Sequence, residues 1–143
     1  MIKFRHAGIV VSDMERSIKF YDALLRPVYI KDVLESGSYI DKFLNLENVE
    51  VRTVKMSLVC GNIVELLQFV SHPDLSYKNG EITNIGCSHI ALTVDDLDDT
   101  YSILKNDGTV FNNEPHLSQD GLAKVAFCRD PDGTFLELVE EIK

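Results

Sequence analysis

Apolar and polar positions along this chain fall into short periodic runs, and the same order of runs occurs twice. Residues 2–11 read as a strand in which His6 opens an apolar run, bounded by a helix start at Ser12. Beyond it Met14, Ile18, Tyr21 and Leu25 recur at intervals of four, three and four, which is one stripe down a helix, while Glu15, Arg16, Lys19 and Asp22 fall elsewhere. Ser12 and Glu15 have capping-box spacing at the start of that helix, and Pro27 ends it. Residues 28–34 predict a second strand. Residues 35–50 contain Gly, Ser and Asn together with Ile40, Phe43, Leu44 and Leu46, enough for a short helix or lid. Residues 51–60 alternate, with Arg52, Val54, Met56 and Leu58 on one side and Thr53, Lys55 and Ser57 on the other. Gly61-Asn62 is the expected hairpin turn, and residues 63–70 return as a strand, completing a βαβββ run.

Residues 71–86, with Pro73 and Gly80, have the composition of a linker. The order then repeats. Residues 87–94 predict a strand, and Asp95 or Asp96 caps a helix that turns Leu97, Tyr101 and Leu104 inward and closes at Gly108. A short strand at 109–112, a polar loop at 113–121 and a strand at 123–129 follow. Asp130-Pro131-Asp132-Gly133 suits a type I turn, and residues 134–140 form the last strand. Laid over each other, the halves match His6 to His89, Val11 to Val94, Asp13 to Asp96 and Ser17 to Thr100. At their ends Gly61 through Leu67 matches Gly133 through Val139. Two matching segments in one order point to a duplicated module. The expected fold is α+β: a single domain over 1–143, built from a first module at 1–70, a linker at 71–86 and a second module at 87–143.

Composition narrows the partners. A chain of 143 residues, 45% hydrophobic and 26% charged, can bury one core. Its net charge of −9 argues against nucleic acid and anionic membranes, which need a basic face, and leaves a small molecule as partner. Three cysteines without a C-x-x-C pair suit a reducing compartment and read as small core residues. The chain shows no signal-peptide pattern and no apolar run of bilayer length, so a cytoplasmic protein is expected.

The chemistry rests on four residues. Glu65 shares a strand face with Ile63, Leu67 and Phe69, and Glu137 shares one with Phe135 and Val139. A carboxylate buried in an apolar row needs a partner, and neither row contains a Lys or Arg nearby. His6 and His89 are the matching polar residues on the opening strands. A lone strand histidine is more often a satisfied core or edge residue, and a lone strand glutamate more often an exposed one. The same pair in both modules changes that balance. Two imidazoles and two carboxylates suit a divalent first-row metal, with Ni, Co, Zn, Mn and Fe all acceptable. Arg52, Lys55 and Lys124 are candidates for binding an anionic substrate. His72 and His116 lie in polar loops, His116 within reach of the same face.

The chain resembles the vicinal oxygen chelate superfamily of glyoxalase I, methylmalonyl-CoA epimerase, ring-cleaving dioxygenases and bleomycin-resistance proteins. The carriers are His6-x-x-Ile9-x-Val11-x-Asp13-Met14-Glu15-x-Ser17-x-x-Phe20-Tyr21, His89-Ile90-Ala91-Leu92-x-Val94-x-Asp96-Leu97 and Asp130-Pro131-Asp132-Gly133-x-x-x-Glu137-Leu138. The resemblance implies paired βαβββ modules in a cupped open mixed sheet, with His6, Glu65, His89 and Glu137 as metal ligands. The implied activity is a metal-dependent lyase or isomerase of glyoxalase type. It abstracts a proton alpha to a carbonyl, with Glu65 or Glu137 as base. The four-ligand set resembles that of bacterial glyoxalase I, and the epimerases carry Gln at the place of Glu65. Val10 and Phe69 stand where glutathione-using relatives place Arg and Asn. An epimerase-like enzyme and a non-catalytic binding or resistance protein are the alternatives, and a homodimer is implied.

Overall fold

The protein is described by a computed structural model over residues 1–76 and 80–142; Tyr77, Lys78 and Asn79, inside the expected linker, and Lys143 lie outside the described residues. It divides into two compact units, Met1–Tyr77 and Lys78–Lys143. The first contains β1 (Ala7–Val10), α1 (Met14–Leu25), β2 (Tyr29–Ser36), α2 (Ser38–Leu44), β3 (Glu50–Ser57) and β4 (Ile63–Phe69). The second contains β5 (His89–Thr93), α3 (Leu97–Asn106), β6 (His116–Leu117), β7 (Ala123–Arg129) and β8 (Phe135–Glu141). Each unit holds one four-stranded mixed sheet, ordered β1-β4-β3-β2 and β5-β8-β7-β6, and the fold is α+β. Among the described residues no helix is long and apolar enough to cross a membrane.

In each sheet the opening strand lies parallel to the closing strand, and the other neighbours are antiparallel. A parallel pair needs a crossover, and the amphipathic helix after the opening strand begins it. The helices start one residue later than a Ser12 cap would place the first. Asp13 caps α1 by accepting from Arg16 N at 3.1 Å, and Asp96 caps α3 by accepting from Asp99 N at 2.9 Å. Ser12 instead accepts from the Arg16 guanidinium at 3.0 Å. A carboxylate is the better partner at the positive end of a helix. Arg26, left-handed at φ 46°, closes α1 before Pro27.

The pleat divides the first sheet into two faces. Ile9, Val11, Val54, Met56, Val64 and Leu66 are buried on the face that takes α1, with Met14, Phe20 and Tyr21. Leu66, at 0% exposure, corresponds to Leu138 in the second unit, also at 0%. Each such leucine contributes on the order of 1.5–3 kcal/mol by burial. On the opposite face α2 buries Ile40 against Val49 and Val51, with Leu44, Leu67 and Phe69 packed around them.

Two connections differ from expectation. The β3–β4 turn is not a two-residue Gly61-Asn62 hairpin: Leu58 N donates to Asn62 O at 2.9 Å, and Val59, Cys60 and Gly61 make the loop, with Gly61 at φ 87°. That is the three-residue hairpin with glycine in its left-handed position. In the second unit the strand expected at 109–112 is reduced to one bridge between Phe111 and Cys128. Asn113 interrupts it. Its Oδ1 accepts from Phe127 N at 3.1 Å and its Nδ2 donates to Val125 O at 3.4 Å, so a side chain takes over the ladder there. The pairing resumes at β6, where His116 faces Val125. The cysteines also divide: Cys128 is buried, whereas Cys60 and Cys87 are exposed. Burial, with a smaller effect from Asp130, pushes the Cys128 thiol up to about 12, so it is an inert core residue.

Ser17, on the buried face of α1, is fully buried and its hydroxyl has no hydrogen-bond partner among the described residues. A buried hydroxyl without a partner loses its hydration for nothing in return. Ser17→Ala is therefore expected to hold or raise stability, by up to ~1 kcal/mol, in urea denaturation. A loss above that size would show that the hydroxyl is bonded.

Candidate metal centre

The parallel pairing of opening and closing strands builds the same pair of side chains in each unit. Gly8 stands opposite Glu65 and Ala91 opposite Glu137. His6 and His89 precede those small residues by two positions, so they share the face of the glutamate. His6 Nε2 lies 3.0 Å from Glu65 Oε2, and His89 Nε2 lies 3.1 Å from Glu137 Oε2. A Cβ on Gly8 would already come within 3.9 Å of Glu65 Oε2. A small residue at that position leaves the imidazole a clear path across the ladder to the carboxylate.

The surroundings of the two pairs differ. In the first unit Lys55 stands opposite Glu65 across β3 and β4, with Nζ 3.3 Å from Oε1. Both carboxylate oxygens of Glu65, which is 11% exposed, thus face a hydrogen-bonding partner. The row of Glu65 on its own strand holds no basic residue, and the partner comes from the neighbouring strand. In the second unit the equivalent position opposite Glu137 is Phe127. The Phe127 ring meets the His89 ring edge-on, with centroids 5.2 Å apart. Ser88 Oγ holds His89 Nδ1 at 2.7 Å and so orients the ring with Nε2 toward Glu137.

Arg52 and Lys124 occupy the opposite, helix-covered faces. Arg52 stands opposite Gln68 and Lys124 opposite Glu140. Arg52 pairs with Glu15 in the first turn of α1 at 2.6 Å and with Asp32 on β2 at 2.6 Å. Lys124 pairs with Asp98 in the first turn of α3 at 2.7 Å, and this bond is the main reason its ammonium titrates above its ordinary value. The residues opposite them hold the same helix starts. Gln68 accepts from Met14 N at 3.3 Å, and Glu140 from Leu97 N at 2.8 Å. Arg52 and Lys124 therefore tie a helix start to a sheet, once in each unit. Of the three proposed substrate-binding cations, Lys55 alone lies on the face of a His–Glu pair. His116 lies opposite Val125, on the Glu137 side of its sheet, and His72 is exposed beside Ser71.

Adjacent ligands on a metal at about 2.0–2.2 Å stand roughly 3 Å apart at a right angle. The nitrogen and oxygen of each pair already have that separation, and their types suit zinc, nickel or another borderline cation. Each pair fits two neighbouring coordination positions. Among the described residues no group of three or more His, Cys, Asp or Glu side chains is gathered as a complete ligand set.

Two βαβββ units, each carrying a histidine and a glutamate in one register, define a duplicated-module protein with a glyoxalase-type fold. The chain belongs to the Glyoxalase/Bleomycin resistance protein/Dioxygenase superfamily, whose family model matches residues 3–138. A glyoxalase family protein from Bacillus cereus has the same fold, with a TM-score of 0.91 at 19% identity over 100% of this chain and 96% of that one. A probable lactoylglutathione lyase of Vibrio cholerae is 26% identical, over 94% of this chain and 88% of its own length. Glyoxalase I of Saccharomyces cerevisiae is 26% identical over 96% of this chain, which spans 43% of that protein.

Asp32 gives a pH-dependent test of the helix ties. The hydrogen bond from Arg52 holds its carboxyl below the ordinary 3.8. Because the folded value is the lower one, the pair's stabilisation is present above about pH 4 and is lost as pH falls through the folded value. Both partners are partly exposed, so the contribution is under about 1 kcal/mol. Asp32→Asn should lower stability to urea at neutral pH by that amount, with the difference closing as pH falls through the folded value.

Proposed function

We propose that this chain is a metal-dependent enzyme of the glyoxalase type, a lyase or isomerase that removes a proton alpha to a carbonyl. The observation that carries the reading is the repeated His–Glu pair, in one register and with a ligand-like separation in both units. In this reading His6, Glu65, His89 and Glu137 together hold one divalent cation. Bound there, the cation supplies Lewis-acid stabilisation of the negative charge that develops on the substrate oxygens. His6 and His89 act through Nε2, and Ser88 keeps the second ring in place. One of the two glutamates takes the proton. Lys55 Nζ supports the second oxygen of Glu65 at 3.3 Å, while Glu137 faces Phe127. The names of the relatives support the lyase reading. The protein is further proposed to act on a small molecule in the cytoplasm as a homodimer, formed through module edges or by exchange of modules.

The test is metal analysis of the purified protein, followed by chelation. One divalent ion per chain is expected. With free metal at about 100 times its dissociation constant, binding should stabilise the fold by about 2.7 kcal/mol, and chelation should remove that gain. His6→Ala and His89→Ala should each abolish the shift. Proton exchange at the substrate alpha carbon would be followed in parallel with the hemithioacetal of methylglyoxal and with a branched dicarboxylic acyl-CoA. The second substrate tests the epimerase alternative. Glu65→Gln and Glu137→Gln should show which carboxylate is the base through a loss of about 10²- to 10⁴-fold in one of them.

The Lys55–Glu65 contact favours one second reading. It supplies a positive charge to the buried carboxylate without a metal. A metal-free small-molecule binding protein of this superfamily would show no bound ion, no effect of chelation, and ligand binding that survives it.

A further inference from the structure

The face of the first sheet that holds His6 and Glu65 continues across β3 and β2 as ordered rows. Gly8, Glu65, Lys55 and Lys31 lie level with one another on four neighbouring strands. One row toward the α2 end stand Val10, Leu67, Thr53 and Val33, where the surface becomes apolar. One row the other way stand Ile63, Ser57 and Tyr29. The row through Glu65 therefore brings two lysines side by side, in a chain of net charge −9, next to the histidine and glutamate of the candidate metal centre.

Directly opposed like charges on a sheet, with Cβ atoms roughly 4.5–5.5 Å apart, oppose each other's burial and weaken the pairing. A lysine on an edge strand alone is a common guard against edge-to-edge association. Lys31, exposed on β2, would fit that description by itself. Lys55 does not: it is on an inner strand, 41% exposed, and its ammonium reaches Glu65. The row holds one carboxylate, Glu65, for two neighbouring ammonium groups. An anion bridging them removes the repulsion. The two acids of β2 have partners of their own. Asp32 is on the other face with Arg52, and Glu35 accepts from Thr53 Oγ1 at 3.1 Å. The second unit has no counterpart, because Phe127 stands where Lys55 does and Asn113 interrupts the edge beside it.

We infer that Lys31 and Lys55 form an anion-binding ledge that holds a carboxylate or phosphate at one end of the substrate while its carbonyl end lies at the His6–Glu65 pair. The ledge makes the substrate class anionic and assigns its polarity: charged end toward the edge strand, reacting end toward β1. The assignment rests on the proposed function only for the reacting end; binding of the anion does not depend on it.

The test uses the whole chain and two matched probes, 3-(methylthio)propionate and 2-(methylthio)ethanol, which differ in the carboxylate. Binding is read by amide shift perturbation in NMR titrations. The anionic probe should bind several-fold more tightly, shift amides of β2 and β3, and weaken as salt is added. Lys31→Met and Lys55→Met should each weaken it about three- to tenfold, the size of one partly exposed charge pair in affinity. Lys31→Arg and Lys55→Arg should restore the preference. Equal binding of the two probes, or a preference that survives both methionine substitutions, would overturn the ledge. Hemithioacetals of methylglyoxal made with 3-mercaptopropionate and with 2-mercaptoethanol then separate the two ideas. Anion binding without turnover of either leaves the ledge standing and removes the catalytic reading, whereas turnover without preference does the reverse.

Discussion

The parallel pairing of each opening strand with its closing strand is the constraint on which the rest depends. It requires a crossover, and the capped amphipathic helix that begins it covers one face of the sheet. That leaves the other face to the histidine and glutamate. A one-residue slip of β1 against β4 would send His6 to the helix side and Ile9 to the other, so the apolar residues that bury against α1 also fix the chemistry on the far face. The closing hydrogen bonds are alike in the two units, Val11 N to Leu67 O and Val94 N to Val139 O, both at 2.8 Å. The helix starts are tied to the closing strands by Gln68 and Glu140. Register, helix placement and the His–Glu contact are thus one solution found twice.

Within that solution the units have diverged on the faces that carry the His–Glu pairs. On the helix-covered faces the repeat keeps its logic, with a cation at Arg52 or Lys124 and an acid at Glu15 or Asp98. On the other faces the residue opposite the glutamate changes from Lys55 to Phe127, a change of both charge and volume. A repeat that preserves its structural ion pairs and its His–Glu pairs, yet replaces a lysine with a phenylalanine beside one of them, treats its two carboxylates unequally. One has a fixed cation within reach and the other an aromatic wall.

Much of this was legible along the chain. The strands and helices with strong periodicity, the module order and the four central residues follow from the spacing of apolar positions and from the repeat. The capping-box spacing of Ser12 and Glu15 puts the helix cap one residue early, because Asp13 offers the stronger acceptor. The interruption at Asn113 was hidden, since a side chain that replaces a ladder bond leaves no periodic trace. The role of Arg52 and Lys124 was hidden as well, because it depends on which helix turn lies above them.

The most instructive difference concerns Lys55, and it turns on a single loop. A two-residue turn at Gly61-Asn62 would set Cys60 against Ile63 and therefore Leu58 against Glu65, leaving the carboxylate in an apolar neighbourhood. The three-residue loop of Val59, Cys60 and Gly61 sets Ser57 against Ile63 and brings Lys55 opposite Glu65. Loop length fixes register, and register decides whether a buried glutamate is alone or beside an ammonium group. The same step carries Lys31 into line through β2. Glu65 thus has an ammonium group beside it as well as His6, whereas Glu137 meets His89 and faces Phe127. Lys55 and Lys31 become the side chains by which this chain would differ from a module that lacks them.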